Sequence, residues 1–121
     1  MRIAFLTDIH GNLEALEAVL EAVAGLAVDR LVILGDLVGY GPDPVAVVER
    51  IGNLVDQGAV CIKGNHDHAA CTSGAGMTEN ARIAIEWTRG QLRVPHIDYL
   101  AALPMAVREE DRLYVHASAF K

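Results

Sequence analysis

The feature that most constrains the fold is a polar motif that recurs wherever an apolar run ends. The motifs are DIHGN at 8–12, GD at 35–36 and GNHD at 64–67. The spacing between successive motifs is close to the length of one strand-helix-strand unit, which is roughly 30 residues. Three successive units of this kind would deliver the same types of side chain to the same edge of one sheet.

Short apolar runs precede these motifs and predict strands at 3–6, 31–34 and 59–62. Their unbroken apolarity is typical of parallel strands that are buried on both faces. After Asn12, which is a suitable N-cap, apolar residues recur at helical spacing and predict a first helix. Asp43 before Pro44 predicts the start of a second helix. The order strand, helix, strand, helix, strand favours an α/β fold with parallel strands and right-handed crossovers.

The second half of the chain carries weaker patterns. Small residues predict a loop at 69–76, and Thr78 is expected to cap a helix that Pro95 ends. A further short helix is expected at 96–103, followed by a hairpin at 105–107 and 113–115. We expect Trp87 to pack in the core, His68 to lie in a solvated loop and the glutamates of the first helix to face water.

Composition narrows the classes of protein and partner. With 52% apolar and 21% charged residues, the chain is typical of a folded domain. Its net charge of −6 argues against tight non-specific binding to nucleic acid, but leaves a nucleotide-sized substrate open. The short first apolar run does not resemble a signal peptide, and no run predicts a membrane span, so we expect a cytoplasmic protein. Cys61 and Cys71 form no CxxC pair and are expected to be inert thiols.

The polar motifs predict a metal centre. In open α/β sheets ligands bind outside the carboxyl ends of the strands, where Asp8, Asp36 and Asn65 would lie. His116 would join them if its strand adds to the same sheet. Such mixed oxygen and nitrogen ligands suit Mn, Fe, Zn or similar divalent ions. A pair of cations needs a bridging carboxylate, for which Asp36 is placed in the middle of the set.

The third motif also predicts acid-base chemistry. His66 is adjacent to a candidate ligand and could point toward a leaving oxygen instead of a metal. Asp67 would then orient the imidazole and stabilise its protonated form. We therefore predict His66 as a general acid that is assisted by Asp67.

With these residues the sequence resembles the calcineurin-like metallophosphoesterase superfamily. The family pattern runs DxH, then GDxxxxG or GDxxG, GNH[DE], VH or GH, and finally GHxH. The matching segments are DIH at 8–10, GDLVG at 35–39, GNHD at 64–67 and VH at 115–116. The wider strings at 8–12 and 35–44 resemble the bacterial branch of small phosphoesterases related to diadenosine tetraphosphatase and Ser/Thr phosphatases.

The resemblance, which spans residues 1–118, implies a fold and a ligand set. The fold would be the N-terminal half of a four-layer α-β-β-α sandwich, with mainly parallel strands and helical crossovers. Asp8 and His10 would bind one of two divalent metal ions, Asn65 and His116 would bind the other, and Asp36 would bridge them.

The resemblance also implies a reaction. A hydroxide that bridges the metals would attack a phosphomonoester or phosphodiester, since bound metal can lower the pKa of water from ~15.7 toward ~7. His66 would donate a proton to the leaving group. The expected substrate is a small phosphate ester or a nucleotide-type compound.

The sequence departs from the family pattern after His116, where no GHxH follows. In the family that motif supplies one histidine to each metal. We therefore expect residues 1–121 to be a metallophosphoesterase domain truncated after the VH motif. Two alternatives remain open: a non-catalytic metal- or phosphate-binding module, and a half-domain that another chain completes, for example by self-association through an exposed sheet edge.

Overall fold

A computed structural model describes residues 1–119. Three parallel strands, β1 (Ile3–Leu6), β2 (Arg30–Ile33) and β3 (Val60–Cys61), form one sheet in that order. Helices α1 (Leu13–Ala24) and α2 (Pro44–Asp56) provide the crossovers between them. The predicted parallel α/β arrangement is confirmed, and it brings the loops after β1, β2 and β3 to one edge.

The crossover helices begin where the sequence predicts, although only one predicted cap is made by a side chain. The Asn12 side-chain oxygen accepts a hydrogen bond from Ala15 N at 3.0 Å. Pro44 occupies the first turn of α2, but the Asp43 carboxylate makes no capping bond. The fixed φ of proline already suits a first helical turn, and this removes much of the need for a side-chain cap.

The third motif starts a helix, which corrects the predicted loop. Helix α3 covers Asn65–Cys71, with Gly64 as its N-cap. Asp67, in the first turn, accepts a hydrogen bond from Gly64 N at 2.9 Å. This side-chain cap stabilises a short helix whose small residues do not reveal it by periodicity. His68 is exposed as expected, but it lies on this helix rather than in a loop.

Two further helices follow, α4 (Glu79–Gln91) and α5 (Val94–Ala102). Thr78 precedes α4 without a side-chain capping bond, and Pro95 lies in the first turn of α5 instead of only ending α4. Trp87 is 46% exposed, so its predicted place in the core is wrong. The buried stripe of α4 consists of Ala81, Ile85 and Thr88.

The predicted hairpin is present as β4 (Ala106–Glu109) and β5 (Arg112–Val115). Within residues 1–119 it forms a separate sheet and does not extend the parallel one. Side chains connect the two sheets: the Arg30 guanidinium on β2 donates to the Glu109 carboxylate, and Phe5 packs edge-on against Tyr114 at 5.8 Å. These contacts hold the end of β5 next to the parallel sheet.

The core lies between the parallel sheet and the helices. Its largest fully buried apolar side chains include Leu16, Ile33, Leu37, Ile51, Ile62, Ile85 and Leu100. Cys61 is buried, and this burial raises the pKa of its thiol to about 12, in agreement with an inert thiol. Among the helices of residues 1–119, none has the length and apolarity that crossing a membrane requires.

Candidate metal centre

The loops after β1 and β2 are joined by backbone hydrogen bonds. Asp8 N donates to Gly35 O at 3.1 Å, and His10 N donates to Asp36 O at 2.9 Å. Asp8, His10 and Asp36 all have positive φ, between 50° and 56°. Non-glycine residues rarely adopt this conformation, and it concentrates at functional sites where the surroundings enforce it. The three side chains are therefore held by backbone geometry.

Two glycines allow the loop after β2 to pack directly against the start of α3. A Cβ on Gly35, whose φ is +93°, would lie 2.5 Å from Gly64 N. A Cβ on Gly64 would overlap the Asp36 side chain. Glycine is required at both positions because two backbone segments approach closely there. This contact places Asp36 next to the residues of the third motif.

Asp36 lies at the centre of the candidate ligands and belongs to both groups that could hold a cation. Its Oδ2 atom lies 3.6 Å from His10 Nε2 and 3.3 Å from His116 Nε2. Its Oδ1 atom accepts a hydrogen bond from His66 N at 2.9 Å. The residue is only 3% exposed. Two sets of ligand atoms lie within 4.8 Å of one another and have this residue in common: Asp8, Asp36 and His116 in one, and His10, Asp36 and His66 in the other.

Backbone carbonyls orient two of the imidazoles. His10 Nδ1 lies 3.0 Å from Val38 O, and His116 Nδ1 lies 2.6 Å from Leu34 O. A carbonyl oxygen can only accept, so each Nδ1 carries the hydrogen. In the neutral imidazole the lone pair is then on Nε2, the atom that faces Asp36. This is the orientation that metal-binding histidines require.

The resulting cluster places hydrogen-bond acceptors against one another. His116 Nε2 lies 3.1 Å from the amide oxygen of Asn65, and His10 Nε2 lies 3.4 Å from a carboxylate oxygen of Asp8. Facing lone pairs repel unless a cation or a proton lies between them. The donor set of carboxylate, amide oxygen and imidazole therefore fits divalent ions such as Mn, Fe or Zn.

The cluster differs in one respect from the sequence-based expectation for His116. The strand pattern predicts that this residue joins the site if its strand extends the parallel sheet. His116 reaches the site from the separate hairpin, because side-chain contacts and its own bond to Leu34 O replace sheet pairing.

The pKa of Asp8 is lowered, mainly by the hydroxyl of Thr7, which donates to it at 2.6 Å.

His66 lies beside this cluster and is buried. Its ring centroid is 4.7 Å from that of His10, and its Nδ1 has no hydrogen-bond partner among the described residues. The ring packs against Gly39, where a Cβ would overlap it. Burial lowers the pKa of His66, while the charge of Asp36 acts in the opposite direction. This unpaired Nδ1 atom is buried and faces Gly39.

The Asp67 side chain does not make the predicted contact with the His66 ring. Its carboxylate accepts four backbone N–H groups instead, from Asp36, Leu37, Val38 and Gly64. Burial raises the pKa of Asp67 to about 6, whereas the N–H donors lower it, so the group is ionised at neutral pH. Asp67 therefore holds the loop after β2 against α3.

Tyr40 and the orienting carbonyls are not among the site residues that the sequence motifs predict. The Tyr40 ring lies 5.1 Å from the His10 ring and 5.0 Å from the His66 ring. An aromatic residue between two glycines, soon after the GD motif, was the available signal. The carbonyls of Leu34 and Val38 left no signal, because any residue type supplies the same acceptor.

Comparisons with known proteins show which family this chain resembles. A family model described as calcineurin-like phosphoesterase matches residues 1–118. The uncharacterized protein MJ0912 of Methanocaldococcus jannaschii is 35% identical over 109 residues, which are 88% of this chain and 44% of that protein. Phosphodiesterase YfcE of Escherichia coli is 40% identical over 75 residues, which are 55% of this chain and 40% of that one.

A solved structure is similar to this chain in fold and in sequence. The crystal structure of a metallophosphoesterase from Sphaerobacter thermophilus matches with a TM-score of 0.73 at 41% identity, over 93% of this chain and 45% of that chain. The chain thus spans less than half the length of each of these proteins.

Proposed function

Since the chain belongs to the calcineurin-like phosphoesterase family, we propose that the protein is a metal-dependent hydrolase of phosphomonoesters or phosphodiesters. One observation carries this proposal: Asp36 Oδ2 faces the metal-binding nitrogens of both His10 and His116. A carboxylate in this position is suited to two cations at once.

The proposal assigns five ligands. Asp8 and His10 would hold one cation, Asn65 and His116 the other, and Asp36 both. When bound, the divalent cations supply Lewis acidity that activates water and balances charge on the phosphoryl oxygens. Mn, Fe and Zn all suit this donor set.

His66 is proposed to donate the proton that the leaving oxygen needs. It is 7% exposed, and its ring lies against that of His10, which places it beside the ligand cluster where the leaving oxygen would be. Only the protonated imidazole can act as this acid, and burial makes that form scarcer as the pH rises. Asp67 is proposed to support the reaction indirectly, by holding Asp36 in place.

The substrate is proposed to be a small phosphate ester or a nucleotide-type compound. The similarity to a protein named phosphodiesterase supports a diester, and the net charge of −6 disfavours a nucleic-acid polymer. A cytoplasmic location, and a metallophosphoesterase domain to which residues 1–121 belong, remain parts of this proposal.

The test is turnover of p-nitrophenyl phosphate and bis(p-nitrophenyl) phosphate by the protein with Mn²⁺ added. We expect release of nitrophenolate by the wild type and background rates for Asp36→Asn. Glu14→Gln, on the solvated face of α1, is the control and should match the wild type. Bound metal without turnover of either ester would favour the non-catalytic binding module.

Self-association is a second candidate that one observation favours. In the described sheet β1 is an edge strand, and its Phe5 is 53% exposed beside the exposed Val19 of α1. Such an apolar edge can pair with a second copy. Sedimentation should show a dimer that Phe5→Glu dissociates, and a monomeric wild type at high concentration would refute this idea.

A further inference from the structure

Tyr40 lies beside the ligand cluster and presents an aromatic ring to solvent. The residue is 53% exposed. Its ring stands edge-to-face to His10, at an interplanar angle of 75°, and is tilted by 44° to His66. One side of the ring thus packs against two histidines of the site. The remaining surface is free to contact a bound molecule.

The backbone at Tyr40 is held in a rare conformation. Its φ is +69°, and Gly41 N donates to Gly39 O at 2.9 Å, which closes a three-residue turn around it. A three-residue turn with a central φ of about +75° is the uncommon, strained form. A bulky residue is seldom found there, and strain of this kind persists only where the surroundings enforce it.

The surroundings of the turn fix it to the site. Gly41 N also lies 2.8 Å from His10 O, to which it donates. A Cβ on Gly41 would overlap the His10 carbonyl, and a Cβ on Gly39 would overlap the His66 ring. The two glycines that flank Tyr40 therefore each contact one of the histidines on which its ring packs. The ring is positioned by this contact and not by a flexible loop.

We propose that Tyr40 determines substrate specificity by stacking on a planar leaving group, a nucleobase or an aryl group. The inference rests on the proposed function, which places the phosphoryl group at the ligand cluster and the leaving oxygen near His66. A leaving group bound there meets the exposed part of the Tyr40 ring. Stacking on aromatic side chains is strong and tolerates every base, because each base has a flat face.

The test compares two phosphate compounds that differ by one planar group. Calorimetry measures binding of AMP and of ribose 5-phosphate to the Mn²⁺-loaded protein. We expect AMP to bind about tenfold more tightly. Tyr40→Phe should keep this preference, because the ring remains. Tyr40→Gly should bring the ratio close to one, and glycine at this positive φ leaves the fold intact.

The control is Trp87→Ala, which removes another exposed ring, on α4, and should keep the AMP preference. Equal binding of the two compounds to the wild type, or no binding of either, would overturn the role of Tyr40. A preference that survives Tyr40→Gly, or is lost in Tyr40→Phe, would overturn it as well. Failure of the hydrolase proposal is separate: it would appear as an AMP preference without turnover of any ester.

Discussion

The carboxylate of Asp67 is the residue that joins the second and third motifs. It is fully buried and accepts four backbone N–H groups, three of them from the loop that carries Asp36. An amide in its place would turn an NH₂ group toward some of these donors. Buried donors that lose their acceptor are costly, because water cannot replace it.

We therefore expect Asp67→Asn to lower the free energy of unfolding by about 3 kcal/mol near neutral pH. Urea denaturation measures this loss. Asp98→Asn, at an exposed position of α5, is the matched control and should stay within about 0.5 kcal/mol of the wild type. Equal stabilities of the two variants would show that the four backbone N–H groups do not need the Asp67 carboxylate as their acceptor.

The general-acid role proposed for His66 predicts that the effect of its loss depends on the leaving group. Loss of a general acid typically reduces rates by about 10²-fold or more when the leaving oxygen is basic. We expect His66→Asn to lose this factor on an alkyl phosphate and much less on p-nitrophenyl phosphate, whose leaving group needs little protonation. The measurement is kcat for both esters. An equal loss on both, together with loss of bound Mn²⁺, would make His66 a ligand instead.

The types and order of the site residues were predictable, whereas their contacts were not. DxH, GD and GNHD each follow an apolar strand, so Asp8, Asp36 and Asn65 could be placed at one rim. The bonds of Asp67 could not be foreseen, because a carboxylate next to His66 in sequence can point either to the ring or to the backbone. Its short helix decides the direction, and that helix has no periodic signal.

At the scale of elements, the loop after β2 depends on Gly39. A Cβ there would meet the His66 ring, and φ is +93°. Gly76 is a matched control, since its φ is +84° and a Cβ would meet nothing within 4 Å. Both alanine variants bear the positive-φ penalty of about 1–2 kcal/mol. Only Gly39→Ala adds an overlap.

We expect Gly39→Ala to cost at least about 1 kcal/mol more than Gly76→Ala in chemical denaturation, as overpacking does. It should also reduce turnover, because the His66 ring has to move. If the two variants were equally stable and equally active, the close packing of Gly39 on His66 would be refuted.

The hairpin that carries His116 depends on the pairing of Arg30 with Glu109. The hydrogen bond from Arg30 is the main cause that lowers the pKa of Glu109 from its ordinary 4.5. A lowered pKa means that the stabilisation is present above about pH 4.5 and is lost as the pH falls through the folded-state value. The hairpin is a separate sheet in the described chain, so this pair is one of its few links to β2.

We therefore expect Glu109→Gln to lower Tm at neutral pH by a few degrees, and to match the wild type well below pH 4.5. Thermal unfolding at both pH values checks this. Glu110→Gln, at the exposed hairpin turn, should change little at either pH. A Tm difference for Glu109→Gln that persists in acid would contradict the assignment.

For the whole molecule, the sequence pattern predicted the parallel sheet because the runs at 3–6 and 31–34 are uniformly apolar and are followed by polar turns. It also predicted the hairpin, but not how the hairpin is attached, since the side-chain links from Arg30 and Phe5 join residues far apart in the chain. Trp87 was misplaced for a related reason. Periodicity identifies an apolar stripe on α4, but the neighbouring helices decide which side of it is buried.

The central claim is that Asp36 is shared by two divalent cations. The most direct measurement is the number and magnetic coupling of Mn²⁺ ions bound at saturation, by calorimetry and electron paramagnetic resonance, for the wild type and Asp36→Asn. We predict two coupled ions per chain for the wild type, and loss of the coupled pair in the variant. A wild type that binds no coupled pair, or an Asp36→Asn variant that binds it unchanged, would contradict the claim.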